Sequence, residues 1–330
     1  MTEGISIIIC FYNAEQRLQK TLNAIKQLNV ESIPFVELVL VNNNSNDHSD
    51  EIIREQLAHF TSFPWKIIQE PTPGLSHARK AGIVNSVGSY ILFCDDDNWL
   101  DHNYLTIAYR LFKQNPLIGV LGGLGTATSD KELPGWFDQE QVLYAVGSQN
   151  SFNGEVSGGR NMVYGAGMTI DRSKMEWIEE CGFSSFTADR TGKSLSSGGD
   201  SELCLALKVA GFKIWYDDRM KFMHFIEGRR LTKDYIGQLK AGIRTSNFYT
   251  KVYLEYLNGY VPKVGRFYWV KELLYAFKAY LKSILSKDHL EVNRIKAFMS
   301  LLLRERSYYN QKVTHILQFC DKVRNGKYNG

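Results

Sequence analysis

In the first ninety positions the apolar runs are short, and each gives way to a stretch of different rhythm. ISIIICF (5 to 11) is apolar at almost every position, as expected of a strand buried on both faces. AEQRLQKTLNAIKQL (14 to 28) then spaces Leu18, Leu22, Ile25 and Leu28 along one side of a helix. VELVLV (36 to 41) repeats the strand pattern, the turn-rich NNNSNDHS follows, and EIIREQLAHF reads as a second helix. WKIIQE (65 to 70), a helix from about Ser76 to Val87, and the strand YILFC (90 to 94) continue the alternation. This order predicts an α/β protein with a parallel sheet covered on both faces and ligands bound at the carboxyl ends of its strands.

After residue 115 the pattern changes. GVLGGLGTATSD and the aromatic loops LPGWF and QVLYAVGSQ read as a substrate-binding half rather than another regular strand and helix unit. From about 230 onward the pattern is helical and basic, without internal repeats. The expected division is a first domain over 1–229, in two parts of about 1–115 and about 116–229, followed by a basic helical region over 230–330.

Composition sharpens this division. At 330 residues and 44% hydrophobic, the chain can build a large core. Its five cysteines are scattered without a CxxC pair, which disfavours a zinc site or disulfide framework and suits a reducing, cytoplasm-like compartment. The start MTEGISIIICFYN lacks the basic segment of a signal peptide, and no run reaches the roughly 18 apolar residues of a spanning helix. Residues 1–218 carry 17 Lys and Arg against 27 Asp and Glu, whereas residues 219–330 carry 22 against 8. An acidic body with a basic tail suggests that the tail meets an anionic partner.

The most pointed chemistry lies in YILFCDDDNWL, where an apolar strand runs into Asp95, Asp96 and Asp97. Each ionised carboxylate raises the cost of ionising the next, and a cation among them turns that repulsion into binding. In an extended chain Asp95 and Asp97 point one way and Asp96 the other, leaving two carboxylates for Mg2+ or Mn2+ beside a diphosphate. An acidic turn capping the next helix is the plainer alternative. Asp200, after Gly198-Gly199 and before a helix bearing Leu203, Leu207 and Ala210, reads equally as an N-cap or a catalytic base. His224 sits among apolar residues in MKFMHFIEGRR, where a core histidine is the commoner outcome; a metal ligand, with Arg229 or Arg230 on a phosphate, is the alternative. GGLGTAT lacks the third glycine of a dinucleotide fingerprint, and TGKS (191 to 194) lacks the first glycine of a P-loop.

Together these segments resemble the family 2 inverting glycosyltransferases with a GT-A fold. ISIIICFYNAEQRL is similar to that family's opening strand, VLVNNNSNDHS to its second strand and turn, and PGLSHARKAG to its Gly-Leu-Ser, Ala-Arg segment. YILFCDDDNWL resembles its DxD stretch, YGAGMTIDRS its Gly-Ala-Gly loop at the sugar site, and SGGDSELCLAL the segment carrying its base. The resemblance covers about 220 residues in order and stops short of the C-terminal hundred.

It implies a Rossmann-like, mostly parallel central sheet with flanking helices, plus a C-terminal helical extension. It also implies a divalent cation, Mn2+ or Mg2+, on Asp95 and Asp97, with His224 as a further ligand as in some members. Asp96 falls near the ribose, Tyr12 and Arg79 on the nucleobase or diphosphate, and Asp200 at the position of the general base. Gly165, Ala166 and Gly167 fall at the donor sugar, with Trp136 and Arg229 as further candidates on the sugar or acceptor side. Asn42 stands where the family has an aspartate accepting from the uracil N3–H; an amide oxygen accepts the same bond without the charge. Lys80 and Gly199 also depart from the family pattern.

The expected reaction is transfer, with inversion, from a nucleotide-diphosphate sugar, UDP-sugar first, to a glycan or polyprenyl-diphosphate-linked acceptor in bacterial-type surface polysaccharide or glycoconjugate synthesis. The alternatives are a nucleotidyltransferase and a nonenzymatic glycan-binding protein. Nucleic acid is not an expected partner, because the aromatics of the tail follow helical packing rather than a stacking platform. FYWVKELLYAFKAYLKSIL (267 to 285) sets Lys271, Lys278 and Lys282 along one side, as in a helix packed on the catalytic domain or one lying on an anionic membrane surface. The expected location is cytoplasmic, with peripheral contact to the inner face of the membrane under the second reading.

Overall fold

A computed structural model describes residues 1–158, 161–186, 198–287 and 289–328, except for the side chains of 241, 244–248, 289, 290, 294, 297, 301 and 307. The TGKS segment lies outside the described residues. The unbroken apolar runs become inner strands. The chain alternates β1 (Thr2–Phe11), α1 (Leu18–Lys26), β2 (Val36–Asn42), α2 (Ser49–Leu57), β3 (Trp65–Gln69), α3 (Leu75–Val84) and β4 (Gly88–Phe93). These strands lie side by side in the order β3-β2-β1-β4, all parallel, with Ile5 of β1 opposite Val36 on one side and Tyr90 on the other.

Because side chains alternate along a strand, β1 feeds two cores. Ile5, Ile7, Ile9 and Phe11 pack with Leu18, Leu22 and Ile25 of α1 and with Ile53 and Leu57 of α2. Ile8 points the other way, to Val39, Val41, Ile91 and Ala78 of α3.

The second half comprises β5 (Asn98–Leu100), α4 (Tyr104–Gln114), β6 (Ile118–Thr128), α5 (Phe137–Glu140), β7 (Gly154–Glu155), β8 (Thr169–Asp171), α6 (Arg172–Glu180), α7 (Gly199–Val209) and β9 (Lys213–Phe225). The sheet continues β4-β8-β6-β9-β5, with β7 also on β9. Strand β8 runs antiparallel to both β4 and β6, and β5 antiparallel to β9, so the sheet is parallel through its first half and mixed beyond it. The glycine-rich stretch, expected to depart from the regular strand and helix units, forms the eleven-residue strand β6. Its glycines serve close approach: a Cβ on Gly123 would lie 2.0 Å from the Met220 carbonyl oxygen, and one on Gly122 2.5 Å from Val163.

Three longer helices follow, α8 (Lys233–Leu257), α9 (Tyr268–Leu285) and α10 (His289–Asn325). Thr232 caps α8, its side chain accepting from the Tyr235 N–H. Tyr249, Val252, Tyr253 and Tyr256 of α8 and Val313, Ile316 and Phe319 of α10 join the core that contains Ile8 and α7. Helix α7 is therefore enclosed, with Cys204, Leu205, Ala206 and Leu207 all buried, more of its circumference than a single apolar stripe provides. All five cysteines are free. Among the described residues no helix is long and apolar enough to cross a membrane.

Candidate active site

The site begins where β4 stops. The chain leaves the sheet after Phe93, and the Asp95 carbonyl accepts from the Asn98 N–H at 3.1 Å, turning the three aspartates before β5 begins. The alternation expected of an extended end is lost in this turn, and Asp95, Asp96 and Asp97 all line one cavity. Each carboxylate has different company. Arg17, projecting from the start of α1, donates to both oxygens of Asp96 at 3.2 and 2.8 Å and to Glu227 at 3.2 Å. Asp97 faces His224 Nε2 at 3.5 Å and Arg230 at 3.5 Å. Asp95 has only a long contact from the Asn98 amide, 3.4 Å, among the hydrogen bonds described.

Electrostatics follow from this arrangement. Burial and the charge of Asp97 push the Asp95 carboxyl above its ordinary range, with Arg79 pulling the other way. Burial also works to raise Asp97, but the His224 imidazole, its hydrogen bond and the Arg230 and Arg17 guanidinium groups outweigh it and hold Asp97 at about 2. Burial opposes charge on His224, yet Asp97 wins and raises its pKa. The other ring nitrogen, Nδ1, is buried without a hydrogen-bond partner.

Two carboxylates and an imidazole suit a hard divalent cation by donor type. Among the described residues no three His, Cys, Asp or Glu side chains are grouped to hold one unaided. Beside a diphosphate such cations are held by one or two carboxylates, with phosphate oxygens and water completing the shell.

Asp200 lies in the first turn of α7, with Gly198 at the cap position and no side-chain cap, so the capping role does not hold. One of its oxygens meets Arg79 of α3 at 2.5 Å. The Arg79 guanidinium rests over the Phe93 ring, 4.8 Å from its centre, and so spans from the end of β4 to α7. The other Asp200 oxygen occupies the space above Gly165, where a Cβ would stand 1.8 Å from it. The Gly-Ala-Gly loop thus meets the base candidate directly through its first glycine.

The cavity, about 830 Å³, reaches from the aspartates past Gly165, Ala166 and Asp200 to α8, which contributes Tyr235, Leu239 and Lys251. The C-terminal helical region therefore forms one wall of it. Arg79, Asp95, Asp96, Asp97, Gly165, Ala166, Asp200 and His224 come together here from five stretches of the chain.

Other expected contacts do not. The Tyr12 side chain is largely exposed and outside the cavity lining. Asn42 is buried at the end of β2, outside the cavity lining, its oxygen accepting from the Ser45 N–H and its amide donating to Asp50, both at 2.7 Å. Gly167, at φ +70°, is a backbone turn whose carbonyl accepts from the Tyr104 hydroxyl at 2.6 Å. Trp136 packs with the apolar cluster of Phe137, Tyr144 and Ile226. Arg229 is exposed and pairs with Glu227, while Arg230 faces Asp97. In the short 3-10 turn Gly228–Arg230, successive side chains diverge by about a third of a turn, so only one of the two arginines can face inward. Arg17 was missed because its helix was read for its apolar face alone.

A family model for glycosyl transferase family 2 matches residues 6–170, half of the chain, and the chain belongs to that family. It is 35% identical over 110 residues to "Glycosyltransferase GlyA" of Streptococcus pneumoniae, a match covering 33% of this chain and 15% of that protein. It is 30% identical over 122 residues to "Poly-beta-1,6-N-acetyl-D-glucosamine synthase" of Staphylococcus epidermidis, covering 37% and 28%. The matches thus span less than a third of either relative's length. The crystal structure of S. aureus TarS 1-349 in complex with UDP-GlcNAc superposes with TM-score 0.53 at 15% identity, covering 99% of this chain and 93% of that one. The fold is of the GT-A type, with a helical C-terminal region.

Proposed function

We propose that this chain transfers a sugar, with inversion, from a nucleotide-diphosphate sugar to a hydroxyl of a glycan or lipid-linked glycan. The observation that carries the reading is the sharing of one cavity by the aspartates, Arg79 and Asp200. One end offers carboxylates with an appetite for a cation; the other offers a carboxylate beside open space.

The free oxygen of Asp200 takes the proton of the acceptor hydroxyl as that oxygen bonds to the anomeric carbon. The bond from that carbon to the diphosphate oxygen breaks on the opposite face, and its electron pair leaves with the diphosphate. Arg79, between the two ends, meets the diphosphate charge and orients the donor. Asp95 and Asp97, with His224, would hold Mn2+ or Mg2+; when bound, such an ion neutralises charge on the departing diphosphate. The α8 wall, with Tyr235 and Lys251, borders the acceptor. A UDP-linked N-acetylhexosamine is the first donor to try, because TarS was crystallised with UDP-GlcNAc and a relative is named for an N-acetylglucosamine polymer. Those names also support a role in bacterial surface polysaccharide synthesis.

The test is a panel of nucleotide sugars, with and without Mn2+, on the wild type and Asp200→Asn. Transfer should fall roughly 10²- to 10⁴-fold in the variant with donor binding retained. Wild-type turnover by the variant removes Asp200 from the mechanism, and pyrophosphate release identifies nucleotidyl transfer instead.

A further inference from the structure

Helix α9 buries one side and leaves an apolar stripe on the other. Tyr268, Glu272, Ala276 and Ser283 are buried. Opposite them Leu274, Phe277, Leu281 and Leu285 are 58%, 45%, 46% and 84% exposed, and Ile284 lies beside them at 46%. Their spacing of three and four residues aligns them in one row, so the exposure is a continuous surface rather than scattered side chains. The row extends backward through Phe267, 67% exposed, and the loop residues Val261 and Tyr260.

Charge lies along the same surface. Helical geometry sets Lys271, Lys278 and Lys282 along one edge of the row. Over residues 260–287 six Lys and Arg stand against a single acid, Glu272. That acid is buried and bonded through both oxygens to Lys251 of α8, at 2.9 and 3.0 Å, and so offsets none of the surface charge.

We propose that α9 and the loop before it dock on an anionic lipid bilayer, lying in the plane of the interface with the apolar row in the acyl boundary and the lysines at the headgroups. An apolar row edged by lysines is what such a surface recognises: Leu and Phe gain by leaving water, and each lysine gains from the negative surface potential. Self-association explains the row but leaves the one-signed edge facing its own copy. The docked helix sits next to the cavity, because the Lys251 that binds Glu272 also lines the cavity wall. An acceptor anchored in the same bilayer would thus be held near that wall. This last consequence rests on the reading under Proposed function; the docking itself does not.

The test uses the full chain and sedimentation with vesicles of phosphatidylcholine alone or with about one third phosphatidylglycerol. The variants are Phe277→Ser/Leu281→Ser/Ile284→Ser and Lys278→Gln/Lys282→Gln, all on exposed positions, with circular dichroism melting to show that both stay folded. Wild type should pellet with the anionic vesicles and not the neutral ones, and release in high salt. The apolar variant should bind at least roughly tenfold more weakly, and the lysine variant roughly 30-fold more weakly at low salt. Wild-type protein that stays in the supernatant overturns the proposal, as does equal binding by the folded apolar variant. Sedimentation velocity supplies the second arm. A dimer that the apolar substitutions disperse, with no vesicle binding by wild type, assigns the row to a second copy and also overturns it.

Discussion

At the two ends of the parallel sheet, Glu37 and Asp95 meet opposite treatment. At the amino ends of β2, β3 and β4, Glu37 accepts from the Ser6 hydroxyl at 2.7 Å and the Val87 N–H at 2.6 Å and pairs with Lys66 at 3.2 Å. Burial works to raise its pKa, but those partners outweigh it and hold the carboxyl below its ordinary value. At the carboxyl end of β4, Asp95 is half-buried beside another carboxylate and pushed upward. A satisfied carboxylate ties strands together, whereas an unsatisfied one stores unfavourable energy that a ligand can relieve. The difference separates stability from function within one sheet.

Substitutions sharpen the contrast. The largest effect belongs to the functional end: Gly165→Ala drives a Cβ into the Asp200 carboxylate and should lower transfer roughly 100-fold by misplacing it, with little change in donor affinity. Steady-state kinetics with separate kcat and KM check this. At the structural end Glu37→Gln should destabilise the protein by roughly 1 to 3 kcal/mol at neutral pH while leaving kcat intact.

Because the folded pKa of Glu37 is depressed, its contribution is complete above the unfolded value. It is lost as pH falls through the folded one. Wild-type stability should therefore drop below about pH 4.5 more steeply than that of the variant in acid-titrated denaturation. Asp95→Asn, by removing a repelled charge, should do the reverse of Glu37→Gln and hold or raise Tm by a few degrees while weakening donor binding. Equal losses of Tm in both variants would break the comparison. The smallest expected effects separate neighbours: Arg230→Ala should weaken donor binding roughly tenfold, and the exposed Arg229→Ala less than about twofold.

Much of the fold was legible in the chain because it is local. The unalternating run ISIIICF and the Leu18, Leu22, Ile25 spacing state their burial in adjacent residues, and both are buried as expected. The mixed half was less legible, since the glycines of β6 answer to Met220 and Val163, which lie far along the chain. At the site, residue types pointed to Asp95, Asp97, Asp200 and His224. The Asp200 to Arg79 pair, 121 residues apart, has no local signature. Nor does anything in the sequence next to Asn42 announce that its side chain bonds to Asp50 and the Ser45 N–H. Helix α9 shows the same limit: its periodicity was readable, but which side faces the core depends on Lys251 and α10.

The most direct measurement is calorimetric titration of the protein with UDP in Mn2+, repeated in EDTA and with Asp97→Asn. If the aspartates after β4 form a cation and diphosphate site, binding should be clear in Mn2+ and at least roughly tenfold weaker in EDTA and in the variant. UDP bound with the same affinity under all three conditions would contradict that account.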